Sequence, residues 1–183
     1  MPRPIAWIST QDVAGKPNLA PFSFFNVASR FPPTLAISIG QPSDKNKEKK
    51  DTLYNIEQTG QLVINVVTES LVDQMNISGM EFPREVDEFS AAGLHYETST
   101  MVLPPRVAEA KVSMECISRN VIPIGPDHLV LAEVVAIRVS DDVLENNKIN
   151  PQKLKAVGRM AGPNYCTTER IFELKIPPLE GMK

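Results

Sequence analysis

The sequence has few of the residues that build metal centres and disulfide frameworks, with two cysteines and two histidines among its 183 residues. Cys116 and Cys166 lie far apart in the chain and fit no metal-ligand spacing. His95 and His128 are also widely separated, and neither has a partner at ligand spacing. We therefore expect two reduced thiols and no metal site.

Positive charge and long apolar runs are also scarce. The chain has 19 Lys and Arg residues against 22 Asp and Glu residues, which gives a formal net charge of −3 at pH 7. This balance argues against a nucleic-acid-binding protein, and apolar runs of only a few residues predict no membrane span. The first residues, Met-Pro-Arg-Pro-Ile, lack the charged and then apolar build of a signal peptide. We expect a cytoplasmic protein with no nucleic-acid or membrane partner.

Several motifs that carry chemistry are absent. No Gly-x-Gly-x-x-Gly follows a predicted strand, which argues against a Rossmann nucleotide domain. The chain also has no Gly-x-x-x-x-Gly-Lys-Ser/Thr run and no Gly-x-Ser-x-Gly elbow. Few groups remain that suit acid–base or nucleophilic catalysis, so an enzyme built on this chain would take its reactivity from a bound cofactor.

What the sequence does have is the pattern of one mainly β domain, which we assign to residues 1–183. Short β-prone segments bounded by Pro, Gly or Asn predict strands at Pro4–Thr10, Asn18–Asn26, Thr34–Gly40, Gln61–Val67, Ala108–Ser118 and Leu129–Val139. Helical spacing predicts short helices at Thr52–Gln58 (capped by Asp51 and Thr52), Ser70–Ile77, Val86–Ala92 and Pro151–Ala156, with a glycine-bearing loop at Gly158–Tyr165. The pattern favours an antiparallel sheet or barrel decorated with short helices.

A set of segments recurs here in a recognisable order and spacing. The strongest are Pro2–Thr10 (PRPIAWIST), Asn18–Asn26 (NLAPFSFFN) and Pro32–Ile39, and the weaker ones include Lys50–Thr52 and Gly158–Met160. Together they resemble the flavin reductase-like, FMN-binding split-barrel family over nearly the whole chain.

The resemblance implies a split β-barrel that forms a homodimer, with FMN in a groove at the dimer interface. It also implies a flavin reductase or oxidoreductase in which hydride passes from NADH or NADPH to FMN. The electron acceptor would then be free flavin, a monooxygenase component or another redox protein. Two alternatives stay open: a non-enzymatic, flavoredoxin-like FMN electron carrier reduced by a protein partner, and a barrel that binds no flavin.

On this resemblance, one stretch suits the edge of the flavin ring, namely Ser23, Phe24, Phe25 and Asn26. An irregular strand end can point backbone N–H groups at ring acceptors, and Asn26 offers both a donor and an acceptor. Phe22 is interpreted instead as a core residue, and Trp7 as a core or interface residue.

Further candidates are donors for the phosphate or the ribityl chain. Lys50, Asp51 and Thr52 lie at a predicted helix start, where free N–H groups and the helix dipole favour an anion. Arg3, Ser9 and Thr10 would contact the ribityl chain or the phosphate. Ser38, on the preceding strand, is a further candidate. Arg159 would contact the phosphate or the nicotinamide, either within one subunit or across the dimer.

Overall fold

Antiparallel strands dominate the structure, a computed structural model that describes residues 2–44 and 47–176. The strands are β1 (Arg3–Pro4), β2 (Ala6–Gln11), β3 (Pro17–Phe22), β4 (Phe25–Arg30), β5 (Pro33–Ile39), β6 (Gln61–Val66), β7 (Tyr96–Glu97), β8 (Arg106–Val107), β9 (Val112–Ile124), β10 (Asp127–Val139), β11 (Leu144–Glu145), β12 (Lys148–Ile149), β13 (Gly158–Arg159) and β14 (Tyr165–Cys166). The α-helices are α1 (Asp51–Thr59), α2 (Val72–Ser78), α3 (Glu88–Ala91) and α4 (Pro151–Leu154), and 3₁₀ turns cover Glu69–Leu71 and Asp141–Val143. None of the described helices is long and apolar enough to cross a bilayer.

Seven strands form one sheet in the order β3-β2-β6-β9-β10-β5-β4, with every neighbouring pair antiparallel. At one end of the order, β3 also contacts β5, the strand next to the other end, so the sheet curls into a partly open barrel. Alternate side chains point into it because successive strand residues face opposite sides. The buried core includes Ala6, Ile8, Ile37, Ile39, Leu62, Ile64, Cys116 and Val130, and α1 adds Leu53 and Ile56. The prediction of a mainly β fold with short helices is confirmed.

A second core lies on the outer face of β2, beneath α2 and α3. Trp7 points to this face, opposite to Ile8, and packs in a cluster with Met75 and Phe89. Its side chain is fully buried, and its indole N–H donates to Ser78 Oγ at 2.8 Å. The interpretation of Trp7 as a core residue is confirmed, and so is that of Phe22, which packs in the barrel core.

The prediction of one strand over Asn18–Asn26 is wrong. β3 ends at Phe22 and β4 begins at Phe25, and these two strands lie at opposite ends of the sheet order. The chain must therefore leave the sheet at Ser23 and Phe24 to cross the open side of the barrel. β-propensity misses this break because Phe24 is as good a strand former as its neighbours.

The helices lie where they are predicted, with different ends. α1 begins at Asp51, and its N-cap residue is Lys50, which makes no side-chain capping bond, so the predicted cap by Asp51 and Thr52 is wrong. Thr52 instead donates its hydroxyl to Asn18 Oδ1 at 2.7 Å. α3 is shorter than predicted because Asp87, whose carboxylate accepts the N–H of Phe89, caps it inside the predicted span.

Both cysteines are free thiols, as predicted. Cys116 lies in the barrel core, where burial is the main cause that raises the pKa of its thiol to about 12. A thiol with so high a pKa is a weak nucleophile at neutral pH, so Cys116 acts as a small apolar core residue.

Candidate functional site

An elongated groove runs along the end of β3 and consists of two adjoining cavities. The first cavity, of about 440 Å³, lies between β3, the start of α1 and the segment of residues 78–85. The second cavity, of about 350 Å³, lies between the Ser23–Phe24 crossing, the end of β5 and the β1–β13 pair. Pro21 and Phe22 line both cavities, so the two cavities adjoin each other at the end of β3. Each has the size of an ordinary ligand pocket.

The Ser23–Phe24 crossing forms one wall of the second cavity. It is held to β5 by the backbone N–H of Ser38, which donates to the Phe24 carbonyl at 2.8 Å. The Arg3 guanidinium donates to Ser23 Oγ at 3.3 Å and lies 5.3 Å from the centroid of the Phe24 ring. Phe24 is 61% exposed. The Arg3 guanidinium therefore lies over the Phe24 ring, and both side chains line the cavity.

A second arginine stands directly opposite the first. β1 pairs with β13 in a register that sets Arg3 against Arg159, and β13 in turn pairs with β14. Arg159 donates to the hydroxyl of Tyr165 and to the Gly162 carbonyl. Within the described residues neither arginine has a carboxylate within ion-pair distance. Like charges opposite each other in a sheet are destabilising. Asp127 also lines the second cavity but makes no ion pair with either arginine, so both guanidinium groups remain without a carboxylate partner among the described residues.

The predicted glycine-bearing loop at Gly158–Tyr165 is thus a small hairpin. Gly158 is needed there because a Cβ at its position would lie 3.0 Å from Cys166 Sγ and 3.2 Å from the Arg3 carbonyl. This close approach brings β13 against β1 and places Arg159 at the groove.

The start of α1 forms one wall of the first cavity, and its charges are paired. Lys50 Nζ lies 3.5 Å from a carboxylate oxygen of Glu81. Asp51 lies 3.1 Å from Lys47 Nζ and 3.9 Å from Arg84 Nε. Here, unlike at the second cavity, each lining cation has a carboxylate partner.

A buried carboxylate also lines the first cavity. Glu88 is 8% exposed and accepts hydrogen bonds from Asn18 Nδ2 at 2.8 Å and from the backbone N–H of Leu19 at 3.2 Å. Burial is the main cause that raises the pKa of its carboxyl group. Glu81, Arg84 and Glu88 are not among the predicted site residues, because nothing in their local sequence pattern separates them from ordinary surface charges.

The structure brings most of the predicted binding residues to the groove. The predicted residues that line it are Arg3, Ser23, Phe24, Ser38, Lys50, Asp51, Thr52 and Arg159. Although these residues are spread over the chain, they line two adjoining cavities. That they bind a cofactor remains a prediction.

Four predicted residues line neither cavity. Ser9 and Thr10 are fully buried: Ser9 donates to the Pro105 carbonyl at 2.6 Å, and Thr10 accepts from Asn55 at 3.1 Å. Phe25 packs against the barrel core, and Asn26 is exposed on β4 with its Oδ1 bonded to the next backbone N–H. The site proposed below therefore does not include these four side chains.

The groove fits FMN, the cofactor that the sequence resemblance implies. A dianionic phosphate requires converging donors, and the first cavity already holds an anion: the Glu81 carboxylate accepts the backbone N–H groups of Ser43 at 2.7 Å and Asp44 at 3.1 Å. The ring requires an apolar face with donors at its edge, and the second cavity offers Phe24 beside Arg3 and Ser38.

Comparison with known proteins agrees with the sequence resemblance. The family described as "Flavin reductase like domain" matches residues 1–157. An uncharacterized protein of Aquifex aeolicus is 42% identical over 177 residues, which cover 96% of this chain and 89% of that protein. The solved structure of nitrilotriacetate monooxygenase component B from Bacillus cereus has a TM-score of 0.89 and 30% identity, covering 95% of this chain and 88% of that one. That of 2-nitrobenzoate 2-nitroreductase from Pseudomonas fluorescens has a TM-score of 0.86 and 30% identity, covering 98% and 87%.

The family match covers residues 1–157 and so includes every residue that lines the first cavity. Arg159 and Gly162, on the second cavity, lie just beyond it. The barrel, the groove and the comparisons agree on a split-barrel fold, and this chain belongs to the flavin reductase-like domain family.

Proposed function

We propose that this protein is an FMN-dependent oxidoreductase that takes electrons from NADH or NADPH. The observation that carries the proposal is the pair of adjoining cavities, one with anion donors and the other with Phe24 and two arginines that have no ion-pair partner among the described residues. Bound flavin would supply the redox chemistry, and the protein would supply binding, orientation and electrostatics.

The residues of the first cavity would hold the phosphate end of the cofactor. Lys50 brings a mobile ammonium, and the backbone N–H groups of Ser43 and Asp44 bring fixed donors. Thr52 and Asn18 bond to each other in the wall and keep its shape.

The residues of the second cavity would hold the ring end. Arg3 and Arg159 set positive charge beside it, which favours a flavin that has gained electrons and negative charge. Ser23 accepts hydrogen bonds from Arg3 and so orients that guanidinium. Phe24 provides an exposed apolar face.

The proposal also covers the assembly and the partners. A homodimer is supported by β4, an edge strand of the sheet on which Val27 is 63% exposed, followed by Phe31 at 96%. An electron acceptor in a two-component monooxygenase is supported by the similarity to a monooxygenase component B. We propose a cytoplasmic location because NADH and NADPH are available there.

The proposal is tested by the visible absorption spectrum of the purified protein with added FMN, followed by NADH or NADPH without oxygen. We expect a flavin band that bleaches with one of the two nicotinamides, which identifies the donor. Flavin that stays yellow with both would overturn the reductase and leave the electron carrier. Absence of any flavin binding would overturn both.

A further inference from the structure

The segment from Gly79 to Pro83 lies along the first cavity and places its one carboxylate, Glu81, against the opposite wall. Glu81 Oε1 accepts the Ser43 N–H at 2.7 Å, and Oε2 accepts the Asp44 N–H at 3.1 Å. Lys50 Nζ lies 3.5 Å from Oε1. We call the two N–H groups and the Lys50 ammonium the anion cradle.

The anion cradle holds Glu81 as a carboxylate, not as an acid. The backbone hydrogen bond from Ser43 is the main cause that lowers the pKa of Glu81 to about 2. The side chain is 37% exposed, so water can replace the contacts when it leaves. The hydrogen bonds that Glu81 accepts are charge-assisted, yet they can be exchanged for bonds to water because the carboxylate is partly exposed.

An anion that enters the first cavity must displace Glu81 from its donors, because of how the charges around the cavity are paired. The carboxylates that line the cavity belong to Asp44, Asp51, Glu81, Glu85 and Glu88, and the cations to Lys47, Lys50 and Arg84. Lys47 and Arg84 are both paired with Asp51, and Lys50 is paired with Glu81. While Glu81 holds Lys50 and the two N–H groups, a phosphate therefore finds no unpaired cation among the described residues that line this cavity.

We propose that the anion cradle is the subsite for the phosphate monoester of the flavin and that Glu81 is its internal competitor. The inference rests on the function proposed above and specifies how this site selects its ligand. When Glu81 occupies the cradle, only a fraction of the molecules can accept a phosphate, and the apparent affinity falls by that fraction. A flavin without a phosphate does not need the cradle, so Glu81 narrows the preference for FMN over riboflavin and favours exchange of FMN.

The test compares the dissociation constants of FMN and riboflavin, measured by quenching of flavin fluorescence, in the wild type and in Glu81→Ala. We expect FMN to bind about tenfold more tightly to the variant, because the competing state is removed. Riboflavin should change by less than about twofold, since no phosphate is involved. Glu81→Gln should be intermediate, because its amide oxygen can still accept one N–H.

Glu85→Gln is the matched control. Glu85 lines the same cavity, is exposed and has no ion pair among the described residues. The Glu85→Gln substitution removes one negative charge, as Glu81→Ala does, but leaves Glu81 in the anion cradle. The affinity for FMN should therefore change by less than about twofold. Weaker or unchanged FMN binding in Glu81→Ala would overturn the inference, and so would equal tightening of riboflavin or of FMN in the control.

A second arm uses inorganic phosphate and does not depend on flavin binding. Amide NMR signals of Ser43 and Asp44 should shift at lower phosphate concentrations in Glu81→Ala than in the wild type. If the wild type does not oxidise NADH or NADPH but the two proteins differ in their phosphate response, the reductase proposal fails while the role of Glu81 as competitor is supported. Equal phosphate responses of the two proteins would overturn the competitor whatever the flavin chemistry.

Discussion

The two ends of the groove treat charge in opposite ways. At the first cavity every lining cation has a carboxylate partner, and Glu81 occupies the anion cradle. At the second cavity Arg3 and Arg159 stand opposite each other and bond only to neutral oxygens within the described residues. Among the described residues, the cations of the first end are paired with carboxylates before a ligand arrives, and those of the second end are not.

The difference separates two ways of preparing a binding site. Where the cations of a site are already paired with carboxylates of the same chain, the empty fold is stabilised, and an anionic ligand must compete with those carboxylates. An end that keeps like charges together costs stability and is ready for an anion as it stands. We therefore expect substitutions at the first cavity to change affinity for the phosphate, and those at the second to change the properties of the bound ring.

The largest effect is expected for Lys50→Met. Removing the one ammonium of the anion cradle should weaken FMN binding about tenfold, as for a lost charged hydrogen bond. Riboflavin binding should be nearly unchanged. Lys49→Met is the control, because Lys49 pairs with Glu57 and does not line the first cavity. Equal losses for FMN and riboflavin would show that Lys50 does not act on the phosphate.

A smaller effect is expected at the second cavity for Arg3→Met. Loss of one positive charge near the ring should lower the affinity for reduced relative to oxidised flavin about fivefold, as for a partly screened charge pair. The measurement is the midpoint potential of the bound flavin, which should fall. Lys148→Met, which removes an exposed positive charge on β12 away from both cavities, should leave the potential unchanged. A potential that does not move in Arg3→Met would remove the electrostatic role proposed for the arginines.

Two double-mutant cycles would compare the ends directly through the free energy of unfolding. The coupling between Arg3 and Arg159, measured with Met at each position, should be unfavourable by about 0.5 kcal/mol. The coupling between Lys47 and Asp51 should be favourable by a similar amount, about 0.5 kcal/mol. Couplings of the same sign at both ends would break the comparison.

The smallest effect is a pH dependence set by Glu88. Because burial raises the pKa of Glu88 above 4.5, the native state holds this proton more tightly than the unfolded chain does. Its contribution to stability is present below that pH and is lost as the pH rises through the native pKa. Urea unfolding of wild type and Glu88→Gln should therefore differ by an amount that falls with pH above 4.5, and parallel curves would contradict this.

Some site residues could be predicted from the sequence because their chemistry is local. A helix start with Lys50 beside it is a candidate anion site because the first backbone N–H groups of a helix have no helical partner, and the structure sets it in a groove wall. The polar residues of β2 could not be sorted in this way. Ser9 and Thr10 are as polar as groove residues, yet both are fully buried and hydrogen-bonded inside the fold. Burial depends on what packs against a strand, which its own pattern does not contain.

By itself, the sequence determined the strands with alternating apolar residues, the short helices, the free thiols and the family. Each of these follows from a local pattern or from the order of segments along the chain. Only the tertiary structure decided that the chain breaks at Ser23 and Phe24, because β3 and β4 belong to opposite ends of one curled sheet. It also decided which charges meet. A strand register sets Arg3 against Arg159, although 155 positions separate them in the chain, and Glu81 reaches Ser43 across a cavity. Electrostatic energy depends on distance in space, and the chain sets those distances only when it folds.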